Sequence, residues 1–146
     1  MITCTFEDGG QAPMRHAVVD VLVFKEGKIL LVKRAQHMAD GGKWALVGGF
    51  VDRDETILQA AEREVFEETG WRVEKLTRIA VLDCPDRALD RQDISFVHTC
   101  QAVVQKGEPD DESEEVRWFT MAELPPKAEM AFDHYETLQH FLTTRG

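Results

Sequence analysis

Three glutamates, Glu64, Glu67 and Glu68, lie within five residues of one another in the 146-residue chain. Wound as an α-helix at about 100° per residue, they fall within an arc of roughly 100° on one face. Ile57, Leu58, Ala61 and Val65 cluster on the adjacent face, the one suited to packing on a sheet. Carboxylates held side by side repel one another, which costs helix stability unless something cationic sits between them. A hard divalent ion with oxygen ligands relieves that repulsion, and Mg²⁺ suits a site that must also hold phosphate oxygens. On an arbitrary helix the same cluster more often reads as a solvated charged face. The surrounding residues decide between the two.

The elements that must position these residues are legible in outline. Thr56 to Thr69 is the clearest helix: Thr56-Ile-Leu-Gln59 fits a capping box, and Gly70 follows as the left-handed terminating residue. Ala17 to Phe24 is rich in β-branched residues and reads as a buried strand despite Asp20. Lys25–Lys28 is a turn, and Ile29 to Lys33 returns as the second strand of a hairpin. Further strands are expected at Thr77–Asp83, Ile94–Gln105 and Val116–Phe119, with a short apolar segment at Trp44–Val47. Loops are expected at 35–43, at Pro85–Asp93 and, strongly acidic, at Lys106–Glu115. Residues 1–14 read as a weakly ordered arm or an edge strand. Tyr135, Leu138, Phe141 and Leu142 have helical spacing in a tail from Asp133 to Leu142. Strands interrupted by two helices indicate an α+β mixed sheet with helices packed on it.

Composition bounds the partners. One domain spanning 1–146 is expected from the length. With 27 acidic residues against 17 Lys and Arg, the net charge is −10, which repels nucleic acid backbones. The stretch Gly49–Trp71 holds seven of those acids and Lys106–Glu115 six more, so the acidity is concentrated where a cation would gather it. Cys4, Cys84 and Cys100 form no C-x-x-C pair, and the longest apolar stretch, Ala17–Phe24, is too short for a membrane span. Without a secretory signal at the start, a cytoplasmic protein with no membrane partner is expected.

Gly49, then Glu55 after five residues, then Arg63-Glu-Val-Phe-Glu-Glu-Thr-Gly-Trp71 after seven more, resembles the signature box of the Nudix hydrolases. These enzymes cleave a nucleoside diphosphate linked to a further group. The resemblance implies a Nudix fold, an α/β/α sandwich around a mixed β-sheet, in which the box binds Mg²⁺ or Mn²⁺. It implies that Glu64, Glu67 and Glu68 are metal ligands or act through metal-bound water. Gly49 would bring backbone close to metal or phosphate, and Arg63 and Glu55 would brace the loop as an ion pair. Members of the family also use a glutamate from a later loop, for which Glu112 is the choice by its distance from Trp118. Trp71 departs from the usual aliphatic residue but can fill the same packing role. The implied reaction is attack of water at phosphorus, with metal neutralising the diphosphate and a glutamate taking the proton. Glu64 and Glu68 are assigned primarily as ligands and Glu67 as ligand or base. All three share one face, so the sequence leaves those roles interchangeable.

Outside the box, several segments are similar to the ADP-ribose pyrophosphatase branch: Trp44 to Val51, Pro85-Asp-Arg87, Leu124-Pro-Pro126 and Ala131-Phe-Asp-His134. Val47 stands where that branch usually has Pro, and Ala88-Leu89 where it has Asp-Pro. Phe132-Asp-His134 also reads as a helix start with Asp133 as cap. Arg34 and Arg87 are candidate contacts to phosphate or ribose, and Phe50 or Trp44 to adenine. His37, His98 and His140 lack metal-ligand spacing and read as surface or core residues. The expected substrate is ADP-ribose or a related nucleoside diphosphate sugar, cleaved to a nucleoside monophosphate and a sugar phosphate. The alternative is a sanitising hydrolase that converts modified nucleoside triphosphates to monophosphate and pyrophosphate. A DNA-binding sensor is disfavoured by the intact glutamates and the lack of a basic helix. The resemblance also suggests a homodimer.

Overall fold

A computed structural model describes residues 2–87 and 92–145. Ala88 and Leu89, where the resemblance to the ADP-ribose branch breaks, lie outside the described residues. The chain opens with an antiparallel hairpin of β1 (Ile2–Thr5) and β2 (Gln11–Met14), in register from Ile2 opposite Met14. The segment read as an arm or edge strand is therefore paired with itself. β3 (Ala17–Lys25) and β4 (Lys28–Arg34) form the expected hairpin. Their tight turn places Glu26 and Gly27 at φ 52° and 76°, the two left-handed residues that match the twist of the flanking strands. Then follow β5 (Trp44–Ala45), β6 (Val47–Phe50), α1 (Ile57–Thr69), β7 (Trp71–Leu82), β8 (Ile94–Gln105), β9 (Ser113–Thr120) and α2 (His134–Arg145).

The larger sheet has the order β5-β4-β3-β8-β7, with β6 added to β3 and β9 to β4. β3 and β8 run parallel and the other pairs antiparallel, so the sheet is mixed. β3 is buried on both faces, which explains its nearly continuous apolar run. Val19, Val21 and Val23 pack with Ala60, Ala61 and Val65 of α1. Leu22 and Phe24 point the other way, to Leu138, Phe141 and Leu142 of α2. Helix, sheet and helix form the expected sandwich. Asp20 alternates onto the α2 side, and that placement matters for the site.

Local chemistry fixes the ends of α1. The Thr56 hydroxyl accepts from the Gln59 N–H at 3.1 Å, and the Gln59 side chain accepts from the Thr56 N–H at 2.8 Å. Gly70 closes the helix at φ 77°, its N–H donating to the Phe66 carbonyl. Two strand boundaries differ from expectation. β7 begins at Trp71, six residues before Thr77, because register shifts at 72/73, 74/77 and 78/80 hide the alternation. Lys75, with φ 56°, sits inside the second of these irregularities. Trp71 and Val73 thereby pack on the α1 side while Ala80 and Leu82 reach the α2 side. β9 begins at Ser113 rather than Val116, so Glu112 is the last residue of the acidic loop. Among the described residues, no helix is long and apolar enough to cross a membrane.

Candidate active site

The three helical glutamates meet β6 at its two glycines. The Glu68 carboxylate accepts from the Gly48 N–H at 3.1 Å. A Cβ on Gly49 would stand 2.5 Å from the Glu64 carboxylate, and one on Gly48 would stand 2.1 Å from the Val19 carbonyl oxygen. Only glycines let this strand pass between β3 and the helix. Glu64 and Glu68 are buried, and Glu67 is half-exposed.

Arg63 binds the box together. Its Nε and Nη2 donate to both Glu55 oxygens, at 3.0 and 2.7 Å, and Nη2 also reaches the Phe50 carbonyl at 2.9 Å. The ion pair expected between Arg63 and Glu55 is thus present, in two-pronged form. Nη1 donates to Glu64 at 2.8 Å and to Glu67 at 3.0 Å, so a guanidinium lies between the two carboxylates.

The acidic loop is stapled to the same helix. The Lys106 and Gly107 N–H groups donate to the Gly70 carbonyl, and the Asp110 N–H to the Glu67 carbonyl. Asp110 accepts from the Glu112 N–H at 3.1 Å. The Glu112 carbonyl accepts from the Ala35 N–H at 2.9 Å, fixing the loop to the end of β4. Glu112 consequently lines the same cavity as Glu64, Glu67 and Glu68.

Burial dominates the electrostatics. It pushes the Glu64 carboxyl up to about 7 against the opposing hydrogen bond from Arg63, with Glu67 and Glu112 adding to the rise. Burial also raises Glu68 well above the usual carboxylate range, with Glu64, Asp110 and Glu112 contributing repulsion. Asp110 is raised for the same first reason. Among the described residues, no three metal-ligating side chains converge tightly enough to hold an ion as they stand. Arg63 supplies positive charge to Glu64 and Glu67. The donor set nevertheless fits a hard divalent cation: four glutamates line one cavity, and two of them are buried with too little compensating charge.

The cavity measures about 850 Å³ and has a second wall. Arg34, Met38 and Ala39 come from the end of β4 and the loop after it, Leu46 from the β5–β6 junction, and Phe132 to His134 from the start of α2. The buried Asp20–His134 pair forms part of this wall. The His134 Nδ1 accepts from the Leu46 N–H at 3.0 Å, leaving Nε2 to face Asp20 at 3.2 Å. The Ser95 hydroxyl donates to the other Asp20 oxygen. Burial alone would raise Asp20, but His134 and Ser95 more than reverse it and hold the carboxyl below its ordinary value. Sequence reasoning missed this pair. Its signal was Asp20 itself, an acid inside an apolar strand.

The candidate substrate contacts singled out from the sequence have definite places. Arg34, Gly49, Phe50 and Arg87 all line the cavity with the four glutamates. Arg87 also has a bracing role that the sequence did not signal. Its Nε and Nη2 bind Asp133 at 2.9 and 3.2 Å, and its Nη1 binds Asp93 at 2.6 Å. The Asp133 carboxylate is therefore turned to Arg87 and not to the start of α2 as a cap. Trp44, the alternative to Phe50 for stacking, is buried edge-on against Phe119 at 4.9 Å and belongs to the core. His98 is a core residue, its Nδ1 2.9 Å from the Phe96 carbonyl.

Residues 14–141 match the family profile of the NUDIX domain. The chain belongs to the Nudix family. An ADP-ribose pyrophosphatase of Methanocaldococcus jannaschii is 33% identical over 124 residues, which cover 85% of this chain and 71% of the relative. An oxidized purine nucleoside triphosphate hydrolase of Danio rerio is 36% identical over 107 residues, covering 72% and 66%. Among solved structures, a bifunctional NMN adenylyltransferase/ADP ribose pyrophosphatase of Francisella tularensis, complexed with AMP and a Mn ion, superimposes with a TM-score of 0.68 at 30% identity. That match covers 92% of this chain but 44% of the larger one. This Nudix hydrolase is thus a pyrophosphohydrolase that acts on nucleoside diphosphate derivatives, in a family that generally works with divalent metal.

Proposed function

We propose that this Nudix hydrolase cleaves ADP-ribose or a related nucleoside diphosphate sugar, giving a nucleoside monophosphate and a sugar phosphate. One observation carries the reading: a single cavity of about 850 Å³ joins four glutamates on one side to Arg34, Met38, Leu46 and Phe132 on the other. It can take a charged diphosphate and an apolar base together. The likeness to the M. jannaschii pyrophosphatase supports the same substrate class.

In this reading Glu64, Glu67 and Glu68, with the Gly49 main chain, hold Mg²⁺ or Mn²⁺. Bound there, the metal supplies charge neutralisation on the diphosphate and a water of lowered pKa. Glu67, Glu68 and Glu112 are the groups within this wall that take or relay the proton. Arg63 keeps the box loop on the helix, and its two inner contacts, to Glu64 and Glu67, are the ones a divalent cation would replace. Arg34, Gly49, Phe50 and Arg87 form the walls that the substrate touches. A second reading, cleavage of a modified nucleoside triphosphate to monophosphate and pyrophosphate, is favoured by the likeness to the D. rerio hydrolase.

Incubation with Mg²⁺ and a panel of nucleoside diphosphate sugars and oxidised nucleoside triphosphates, with products separated by chromatography, tests both. Sugar phosphate from ADP-ribose supports the first reading, and pyrophosphate as the preferred product supports the second. Undiminished turnover by Glu68→Gln overturns the metal wall.

A further inference from the structure

Two residues other than glycine hold left-handed backbone side by side at one end of the cavity: Asp40, with φ 54°, and Phe132, with φ 52°. The Phe132 N–H donates to the Asp40 carboxylate at 2.9 Å, so the two residues are tied to each other. Such backbone costs on the order of 1 kcal/mol or more per residue and persists where the surroundings over-determine it. The neighbouring Ala131 N–H is fixed to the Trp44 carbonyl at 2.8 Å, and His134 is fixed to Leu46. The strained backbone delivers a phenyl ring that is 44% exposed in an otherwise well-packed segment. The Arg34 guanidinium stands 4.8 Å from the ring centroid, and the Arg34 Nε is tied to the Ala39 carbonyl at 2.6 Å. Met38, Ala39 and Leu46 complete this wall with apolar surface.

We infer that the Arg34–Phe132 pair is the nucleobase wall of the cavity, with the base lying against Phe132, Met38 and Leu46. The inference rests on the reading that the substrate is a nucleoside diphosphate derivative, and it adds where the base goes. Phe50 is the other exposed aromatic on the cavity, but its surroundings suit a different part of the substrate. Its carbonyl is bound by Arg63, Gly49 beside it abuts the Glu64 carboxylate, and Asp52 follows it. A diphosphate held with cations belongs at that charged wall. The flat, weakly hydrated faces of a base belong at the other, where a ring and a guanidinium already present π-stacking surface.

The test compares native protein, Phe132→Leu and Phe132→Tyr with ADP-ribose and Mg²⁺, recording kcat and KM separately. Leucine and tyrosine are both unbranched at Cβ, so neither changes the backbone demand at this position. Loss of a base–aromatic stack predicts a KM raised by about 5- to 100-fold in Phe132→Leu. The same reading predicts kcat within about twofold of native, and recovery of most of the KM in Phe132→Tyr. An unchanged KM in Phe132→Leu, or an equal loss in both variants, overturns the assignment. If the native protein turns over no nucleoside diphosphate compound, the functional reading fails instead. The wall is then judged by calorimetry with AMP and ribose 5-phosphate, which differ by the base. Native protein that prefers AMP, with the preference lost in Phe132→Leu, supports it; no preference in native protein overturns it.

Discussion

Glu64 offers a test of the site that requires no substrate. Its side chain is 11% exposed, and burial lifts its carboxyl from 4.5 to about 7. Between those two values the folded protein holds a proton that the unfolded chain has released. The folded state therefore binds more protons, and its stability falls as pH rises through that window. A separation of about 2.5 pH units corresponds to about 3 kcal/mol at 1.36 kcal/mol per unit, or about 2 kcal/mol once water at the Arg63 side screens part of it. Glutamine has the shape of the protonated acid. Metal-free Glu64→Gln should thus be more stable than native protein by about 2 kcal/mol at pH 8 and indistinguishable from it near pH 4.5. Urea unfolding at the two pH values measures this. Adding Mg²⁺ at pH 8 should raise the melting temperature of native protein and leave that of the variant nearly unchanged. A variant less stable at pH 8, or a gain of equal size at both pH values, refutes desolvation as the source of the strain.

Four other perturbations separate neighbouring roles. Gly49→Ala sets a methyl against the movable Glu64 carboxylate and should raise the Mg²⁺ concentration for half-maximal activity about tenfold. Gly48→Ala meets the Val19 backbone carbonyl and should destabilise by at least about 2 kcal/mol, read from its urea midpoint. Arg63→Lys keeps the charge but loses the two-pronged hold on Glu55 and the Phe50 carbonyl, which should cost about 2 kcal/mol by the same measurement. His134→Ala leaves a buried Leu46 N–H without its acceptor and removes one of the Asp20 carboxylate's two partners. A loss of about 3–5 kcal/mol is expected, visible as a lowered melting temperature.

What the sequence made legible was local. The capping box at Thr56, the terminating Gly70 and the spacing of Glu64, Glu67 and Glu68 each depend on residues a few positions apart, and all appear in the structure as read. The Arg63–Glu55 pair and the loop position of Glu112 came through the family pattern and also hold as geometry. What stayed hidden depends on contacts between distant segments. The start of β7 was obscured because register shifts carry its apolar residues from one sheet face to the other. Asp133 looked like a helix cap because nothing nearby in sequence shows that Arg87 takes its carboxylate, 46 residues away. Asp20 and His134 are 114 positions apart, and only the packing of α2 on the sheet brings them together.

Apart from Leu46, which lies two residues before Gly48, the two walls of the cavity come from separate stretches of chain, and that separation bears on how such a protein can diversify. Glu64, Glu67 and Glu68 lie on α1, and the loop bearing Glu112 is tied to α1 by main-chain bonds to the Glu67 and Gly70 carbonyls. The opposite wall is supplied by the loop after β4 and the turn before α2. It meets the Glu112 loop through the bond from the Ala35 N–H to the Glu112 carbonyl, which is indifferent to side-chain identity. Met38, Ala39 and Phe132 can therefore be exchanged without moving a carboxylate. On the proposed reading, selection, natural or in the laboratory, can rewrite what this hydrolase recognises while the wall proposed to cut stays in place.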